Sequence, residues 1–327
     1  MNTAAQPSRL QPGRWLGWLN PSYMAFLLLF FAIAYITPSI LEPMGFTAFL
    51  RRGAPLATVA IGQLFVIIVG GFDLSVGSLI TLTVMGSALL IDNDPAKTWW
   101  VIATMYAAGL LAGLINGLVV TFLKVPSIIA TLGALLAIKG IALAWSGGSP
   151  RGYLPDNFRQ FGRVTLHDVP LIGVLPISVI VLVAVCLLAA WLLHGTTFGR
   201  LTLIVGDNPR AAELAGVRVR TVRLAAFVIS ALTAVTAGIL LGGFSGVSID
   251  AGDGVELQSI AATVLGGAQL LGGRGSVPGV LAGSFTLTAL FPLLNLLGLP
   301  KPLRDAVQGL ILIAAVAYSV RRQGWRD

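Results

Sequence analysis

The stretch GRLTLIVGDNPRAAELAGVRVRTVR, residues 199–223, is a polar and basic segment between two long apolar runs. It forms most of an arginine-rich loop of about residues 195–223. Five arginines lie within it: Arg200, Arg210, Arg218, Arg220 and Arg223. Short loops rich in arginine and lysine stay on the cytoplasmic side of a bilayer. The loop therefore orients every apolar run on either side of it.

Within the arginine-rich loop, the sequence predicts a short surface helix. Asn208 is a favoured helix N-cap, Pro209 suits the first helical position, and Gly216 is a favoured stop. The residues between them, including AAELA, favour helix. We therefore expect about two helical turns at the cytoplasmic surface, where a soluble partner can bind.

The composition places the rest of the chain in a membrane. The 327 residues are 56% hydrophobic and 10% charged, and a mean hydropathy of +0.89 exceeds what one soluble core can bury. A single cysteine, Cys186, excludes an intrachain disulfide. We attribute the net charge of +8 to topology and to anionic lipid head groups rather than to nucleic acid. The predicted class is an all-α polytopic membrane protein.

Ten apolar runs account for most of the chain. The core of a bilayer is about 30 Å thick, and a helix of roughly 20 residues spans it. They are residues 23–41, 55–70, 74–91, 98–123, 127–145, 176–194, 224–243, 257–271, 277–298 and 303–320. Ten spans that start in the cytoplasm also end there, which fits the basic tail. We therefore predict a cytoplasmic segment over 1–22, a membrane domain over 23–320 and a cytoplasmic tail over 321–327.

The longest polar interruption, about residues 146–175, lies outside on this topology. It is rich in proline and short for an independent domain. It is either a docking surface for an external partner or a connector folded over the helices. Five arginines also fall outside and weaken the bias of positive charge towards the cytoplasm: Arg51, Arg52, Arg151, Arg159 and Arg163.

Two glycine-rich breaks interrupt the apolar runs. The first is IIVGGFDLSVGSLITL, residues 67–82, and the second is LLGGRGSVPGVLAGSF, residues 270–285. Aligned with gaps, both read Gly-Gly, a short spacer, Ser-Val and Gly, which indicates an internal duplication. Unwound backbone at membrane depth is tolerated only where it is buried in protein or lines a water-filled path.

Asp73, within the first break, is costly in apolar surroundings unless it faces protein or water. It either caps a helix at the membrane edge or contacts a permeating solute, and the two roles are compatible. Ser75 and Ser276 are placed to cap helices that restart after the breaks. Because the topology puts both breaks near the cytoplasmic face, we favour a structural or gating role.

Polar residues elsewhere in the apolar runs are further candidates. Asn116 and Asn295 are lone amides, for which hydrogen bonds between helices are the default role. Lys139 is expected near a helix end or reaching towards the interface. The candidate residues of the translocation path or gate are Gly71, Asp73, Ser75, Gly77, Asn116, Gly273, Ser276 and Asn295.

Four ordered motifs resemble the membrane permease subunits of bacterial ABC importers for monosaccharides, the ribose-type family. The resemblance extends over about residues 55–320. The motifs are VGGFDLSVGSLITL (69–82), KVPSIIATLGALLAIKGIAL (124–143) followed by SGGSP (146–150), FGRLTLIVGDNPRAAELAGVRVRTVRL (198–224) and IAATVLGGAQLLGGRGSVPGVLAG (260–283).

The resemblance implies a ten-helix subunit of the bacterial inner membrane that works as a homodimer or heterodimer. It implies two ATP-binding subunits on the cytoplasmic side and a secreted sugar-binding protein outside. It also implies that the short cytoplasmic helix couples the permease to the ATPase. The residues that would do so here are Asp207, Asn208, Arg210, Ala211, Ala212, Glu213 and Gly216.

The sequence contains no phosphate-binding loop, metal-ligand cluster or nucleophile motif. We therefore expect no catalysis and no cofactor on this chain, with ATP and Mg²⁺ bound by the partner subunits. The resemblance implies a monosaccharide such as ribose or a related pentose or hexose, although related permeases carry autoinducer or branched-chain amino acids. The alternative is a stand-alone secondary transporter or channel with Asp73 as its ion or proton site.

Overall fold

The computed structural model describes residues 21–169 and 173–300 and, beyond them, 302–304, 306–307, 309–311, 313–314 and 317. Helices dominate the described ranges, and one two-stranded antiparallel hairpin joins β1 to β2. The elements are α1 (Pro21–Ile36), α2 (Pro43–Ile68), α3 (Val76–Ile91), α4 (Thr98–Thr121), α5 (Ser127–Ser146), α6 (Asp156–Arg163), β1 (Thr165–Val169), β2 (Gly173–Pro176), α7 (Ile177–Ala190), α8 (Thr197–Asp207), α9 (Pro209–Leu214), α10 (Val219–Ser245), α11 (Val255–Leu265) and α12 (Val277–Leu296).

Six helices in the described part of the chain are long and apolar enough to cross a membrane. They are α2, α4, α5, α7 with the π-helical turn Trp191–Gly195 that continues it, α10 and α12. The apolar helices α1, α3 and α11 are shorter. The fold is therefore that of a polytopic membrane protein, but helix length supports six spans rather than the ten that the sequence predicts.

The difference in span count has local causes. α1 ends at Ile36, two residues before Pro38, because a proline disfavours helix in the residue that precedes it. α11 ends at Leu265, where Gly266 and Gly267 follow, a few residues before the second break. Hydropathy continues through both points, so the sequence overstates these spans. The predicted span 303–320 lies partly outside the described residues. Residues 1–20 and the tail 321–327 lie wholly outside them.

α2 and α10 form the centre of the bundle. Residues 64–68 of α2 are fully buried, and α10 packs against α2, α3, α4 and α6. α2 starts at Pro43, so Arg51 lies inside this helix and not in a loop before it. Its guanidinium donates to the carbonyl of Arg163 at 3.3 Å and lies 5.1 Å from the ring centroid of Phe244. These arginines therefore sit at the end of α10 opposite to the arginine-rich loop.

The predicted external loop, 146–175, contains α6, β1 and most of β2. Phe158 of α6 is fully buried, and Gly162 lies against the backbone of α10 near Leu240. A connector folded over the end of the helices fits this packing. Residues 170–172, between β1 and β2 in the sequence, are outside the described residues.

Candidate functional site

The arginine-rich loop folds into two helices that meet at a sharp turn. α8 starts after Thr196, whose hydroxyl accepts a hydrogen bond from the Gly199 N–H at 3.2 Å. At the turn, Asn208 Oδ1 accepts from the N–H groups of Arg210 and Ala211, at 3.1 and 3.0 Å. α9 follows and stops before Gly216, which has φ +80°. The predicted short helix, with its cap, proline and glycine stop, is confirmed; the sequence does not predict α8.

α9 is anchored on one side and open on the other. Ala212 is fully buried, whereas Leu214 is 87% exposed. The remaining predicted coupling residues are all exposed: Asp207, Asn208, Arg210, Ala211, Glu213 and Gly216. The sequence reading missed Leu214, although its place two residues after the buried Ala212 on a helix puts it on the outward side.

The first break is built around a buried carboxylate. Asp73 is fully buried. Its Oδ1 accepts from the N–H of Ser75 at 3.0 Å and from the Ser75 hydroxyl at 2.6 Å, and its Oδ2 accepts from the Ser230 hydroxyl at 2.8 Å. Asn116 Nδ2 donates to Ser75 Oγ at 2.9 Å. This Asp73 cluster (Asp73, Ser75, Asn116 and Ser230) ties the break to α4 and α10.

The backbone of the first break is held by side chains of two further helices. From α5, the Ser127 hydroxyl accepts from the Phe72 N–H at 3.1 Å, and the Thr131 hydroxyl accepts from the Leu74 N–H at 3.0 Å. From α2, the Gln63 amide, oriented to satisfy both groups, donates to the Asp73 carbonyl at 3.2 Å and accepts from the Asp73 N–H at 3.1 Å. The unwound segment therefore keeps its polar backbone groups satisfied inside protein.

The two serines that were predicted to cap helices behave differently. Ser276 Oγ accepts from the Gly279 N–H at 3.3 Å and caps α12 as expected. Ser75 makes no side-chain cap on α3. Its hydroxyl instead donates a hydrogen bond to the Asp73 carboxylate, which also accepts a hydrogen bond from the N–H of Ser75. The aspartate, which can accept at both oxygens, thus holds the residue that precedes α3.

Asp73→Ala is expected to destabilise the protein by about 3 kcal/mol, because it removes the acceptor of three hydrogen bonds and leaves buried donors unpaired. Thermal unfolding of the detergent-purified protein measures the loss. Ser230→Ala removes one of these bonds and should lower the stability less. A stable Asp73→Ala protein with an altered solute preference would show that the carboxylate contacts the solute instead.

The second break packs directly against the first and against α8. The Gly273 N–H donates to the Ile68 carbonyl, at the end of α2, at 2.9 Å. Gly206 of α8 lies so close that a Cβ atom there would collide with the Ile68 carbonyl oxygen and the Gly273 nitrogen. We call Ile68, Gly206 and Gly273 the glycine joint. It brings the last turn of α8 and both breaks to one point.

α9 also adjoins the first break. Glu213 lines a cleft of about 440 Å³ together with Gly70 and Gly71. Three cationic side chains line the same cleft: Lys124, Arg220 and Arg223. The arginine-rich loop therefore faces the first break across this cleft and contacts the second break at the glycine joint.

The predicted path residues separate into groups. Gly71, Asp73, Ser75 and Asn116 belong to the first break and its Asp73 cluster, and Gly77 follows in the first turn of α3. Gly273 and Ser276 belong to the second break. Asn295 stands apart near the end of α12, where it is exposed and accepts a hydrogen bond from Arg304 at 3.1 Å. Asn295 is therefore not brought to the other candidates.

Comparisons with known proteins match nearly the whole chain. The family described as branched-chain amino acid transport system / permease component matches residues 45–316. The autoinducer 2 import system permease protein LsrC of Escherichia coli O157:H7 is 36% identical over 299 residues, which cover 91% of this chain and 85% of the relative. The protein of the same name from Klebsiella pneumoniae subsp. pneumoniae is 35% identical over 301 residues, covering 92% and 86%. No solved structure matches the chain.

Proposed function

The chain belongs to the family of branched-chain amino acid transport system permease components, and on that premise we propose that it is the membrane-spanning permease subunit of an ATP-driven ABC importer. The observation that carries the proposal is its similarity, over 91% of its length, to permease proteins named for autoinducer 2 import. The proposed solute is a sugar, such as ribose or a related pentose or hexose. Autoinducer 2 is the next solute to test.

The proposal includes the partners that such an importer needs. Two ATP-binding subunits carry ATP and Mg²⁺, a second permease subunit completes a homodimer or heterodimer, and a secreted binding protein delivers the solute from outside. This chain then binds no cofactor and catalyses no reaction. It lies in the bacterial inner membrane with both termini in the cytoplasm.

The proposed coupling runs through the arginine-rich loop. An ATP-binding subunit binds the exposed side of α9. This side carries Leu214 and most of the predicted coupling residues. Motion of α9 and α8 passes to the glycine joint, where α8 meets both breaks without intervening side chains. Closely packed elements transmit such displacements as rigid bodies. The breaks are the parts of the spans that can change their angle, because helix hydrogen bonds are interrupted there.

The stand-alone transporter finds no support in the surroundings of Asp73. An ion or proton site in a membrane needs a carboxylate that faces the path. Both oxygens of Asp73 are fully buried and accept from Ser75 and Ser230. A structural role for this carboxylate is the better fit.

Reconstitution in liposomes tests the proposal. We expect uptake of radiolabelled sugar only when the chain is assembled with its ATP-binding subunits, ATP and the binding protein. An ATP-binding subunit whose catalytic carboxylate is replaced is the matched control and should give no uptake. Uptake by the chain alone, driven by an ion gradient, would contradict the proposal.

A further inference from the structure

Lys139 forms an ion pair inside a long apolar helix, seven residues before its end, where the sequence predicts a position near a helix end or reaching towards the interface. α5, Ser127–Ser146, is 20 residues long, which corresponds to about 30 Å, with Lys139 about 18 Å from its first residue. It is the only charged residue in this helix. Its Nζ lies 2.7 Å from both carboxylate oxygens of Asp253.

The ion pair is open to its surroundings. The side chains of Lys139 and Asp253 are 30% and 45% exposed. α5 is long and apolar enough to cross a membrane, and a charged group within such a helix is costly against lipid and almost always faces protein or a water-filled cavity. Since the pair is only partly covered by its own chain, the uncovered side has to meet water or another polar surface.

The chain reaches Asp253 by turning back into the bundle after α10. Gly252 donates its N–H to the Thr81 hydroxyl, inside α3, at 3.1 Å. A Cβ atom at Gly77 would collide with the carboxylate of Glu256, so Glu256 lies directly on the first turn of α3. Asp253 and Glu256 therefore stand next to the helix that the Asp73 cluster holds in place.

Resting on the proposed function, we propose that Lys139, Asp253 and Glu256 form a polar site for the solute in the translocation path. The ammonium group has three donors, and each carboxylate has lone pairs left to accept from hydroxyl groups. Neighbouring hydroxyls of a neutral polyhydroxylated solute match this alternation of donors and acceptors. One cation beside two acids repels anions, so phosphorylated sugars are excluded from the site.

A charge exchange separates a solute site from a structural ion pair. Lys139→Met is expected to lower uptake by about tenfold or more in the reconstituted complex, since charge-assisted hydrogen bonds are lost. The double variant Lys139→Asp with Asp253→Lys should recover thermal stability and ATP hydrolysis stimulated by the binding protein. We expect its uptake to stay low, or its preference among sugars that differ in one hydroxyl to change. Full recovery of uptake with the parent's preference would overturn the proposal.

Thiol labelling tests the same site without relying on these variants. In a Cys186→Ala background, Asp253→Cys in the assembled complex should react with a charged, water-soluble thiol reagent, and sugar should slow the reaction. The matched control is Leu187→Cys, since Leu187 is 67% exposed on α7 and should react only with a lipid-soluble reagent. If Asp253→Cys behaves like the control while the complex with the unsubstituted permease imports sugar, this site is refuted and the proposed function stands. If the complex with the unsubstituted permease imports nothing with ATP, the proposed function itself fails.

Discussion

Gly206→Val is expected to abolish ATP-driven uptake while the protein still inserts into the membrane. The side chain would enter the space where Gly206 meets the Ile68 carbonyl oxygen and the Gly273 nitrogen. Both neighbours are backbone atoms and cannot rotate away. The substitution must therefore separate α8 from the two breaks and cost the hydrogen bond between Gly273 and Ile68, at about 1–3 kcal/mol for overpacking alone.

The measurement for this variant is sugar uptake and ATP hydrolysis in the same liposomes. We expect hydrolysis to continue, because α9 keeps its outward side, while uptake falls to the background level. Gly133→Ala is the matched control, since nothing lies within 4 Å of a Cβ atom at that glycine of α5. Normal uptake by Gly206→Val would show that motion does not pass through the glycine joint.

Leu214→Glu is expected to release the ATP-binding subunits from the permease. A leucine that is 87% exposed on α9 is typical of an anchor that a partner buries. Placing a carboxylate in the partner's apolar pocket should weaken binding by about 2 kcal/mol or more, roughly thirtyfold. Uptake then falls because the permease is no longer driven.

Copurification of the ATP-binding subunit with the tagged permease measures this loss. Leu41→Glu is the matched control. Leu41 is 59% exposed but lies between α1 and α2, at the end of the bundle opposite to α9. The Leu41→Glu permease should copurify with the ATP-binding subunit as well as the unsubstituted permease does. Equal recovery with Leu214→Glu would show that the partner does not bury this leucine.

The sequence predicted the boundaries of α9 correctly, because they depend on residues in the helix or directly beside it. Asn208 caps its own helix, Pro209 starts it and Gly216 stops it. The class of protein followed from composition, since apolar runs need no knowledge of their neighbours. The sequence placed Asp73 and Ser75 in the same break because they are two residues apart, but it assigned the helix cap to Ser75, which makes none on α3.

Contacts between residues that are far apart along the chain could not be predicted from the sequence. Ile68, Gly206 and Gly273 are far apart along the chain, and no periodic pattern brings three backbone segments to one point. Lys139 and Asp253 are separated by 114 positions, so the sequence predicted the lysine near a helix end or reaching towards the interface and did not identify its partner. The span count also failed locally, because hydropathy does not register that Pro38 and Gly266 end their helices.

The central claim is that a separate ATP-binding subunit binds α9 from the cytoplasm. Its most direct test is thiol labelling of Ala211→Cys in a Cys186→Ala background. The membrane-impermeant thiol reagent is applied to right-side-out and inverted vesicles, with and without the ATP-binding subunits. We predict labelling only in inverted vesicles, and protection when the subunits are bound. Labelling in right-side-out vesicles, or equal labelling with and without the subunits, would contradict the proposed coupling.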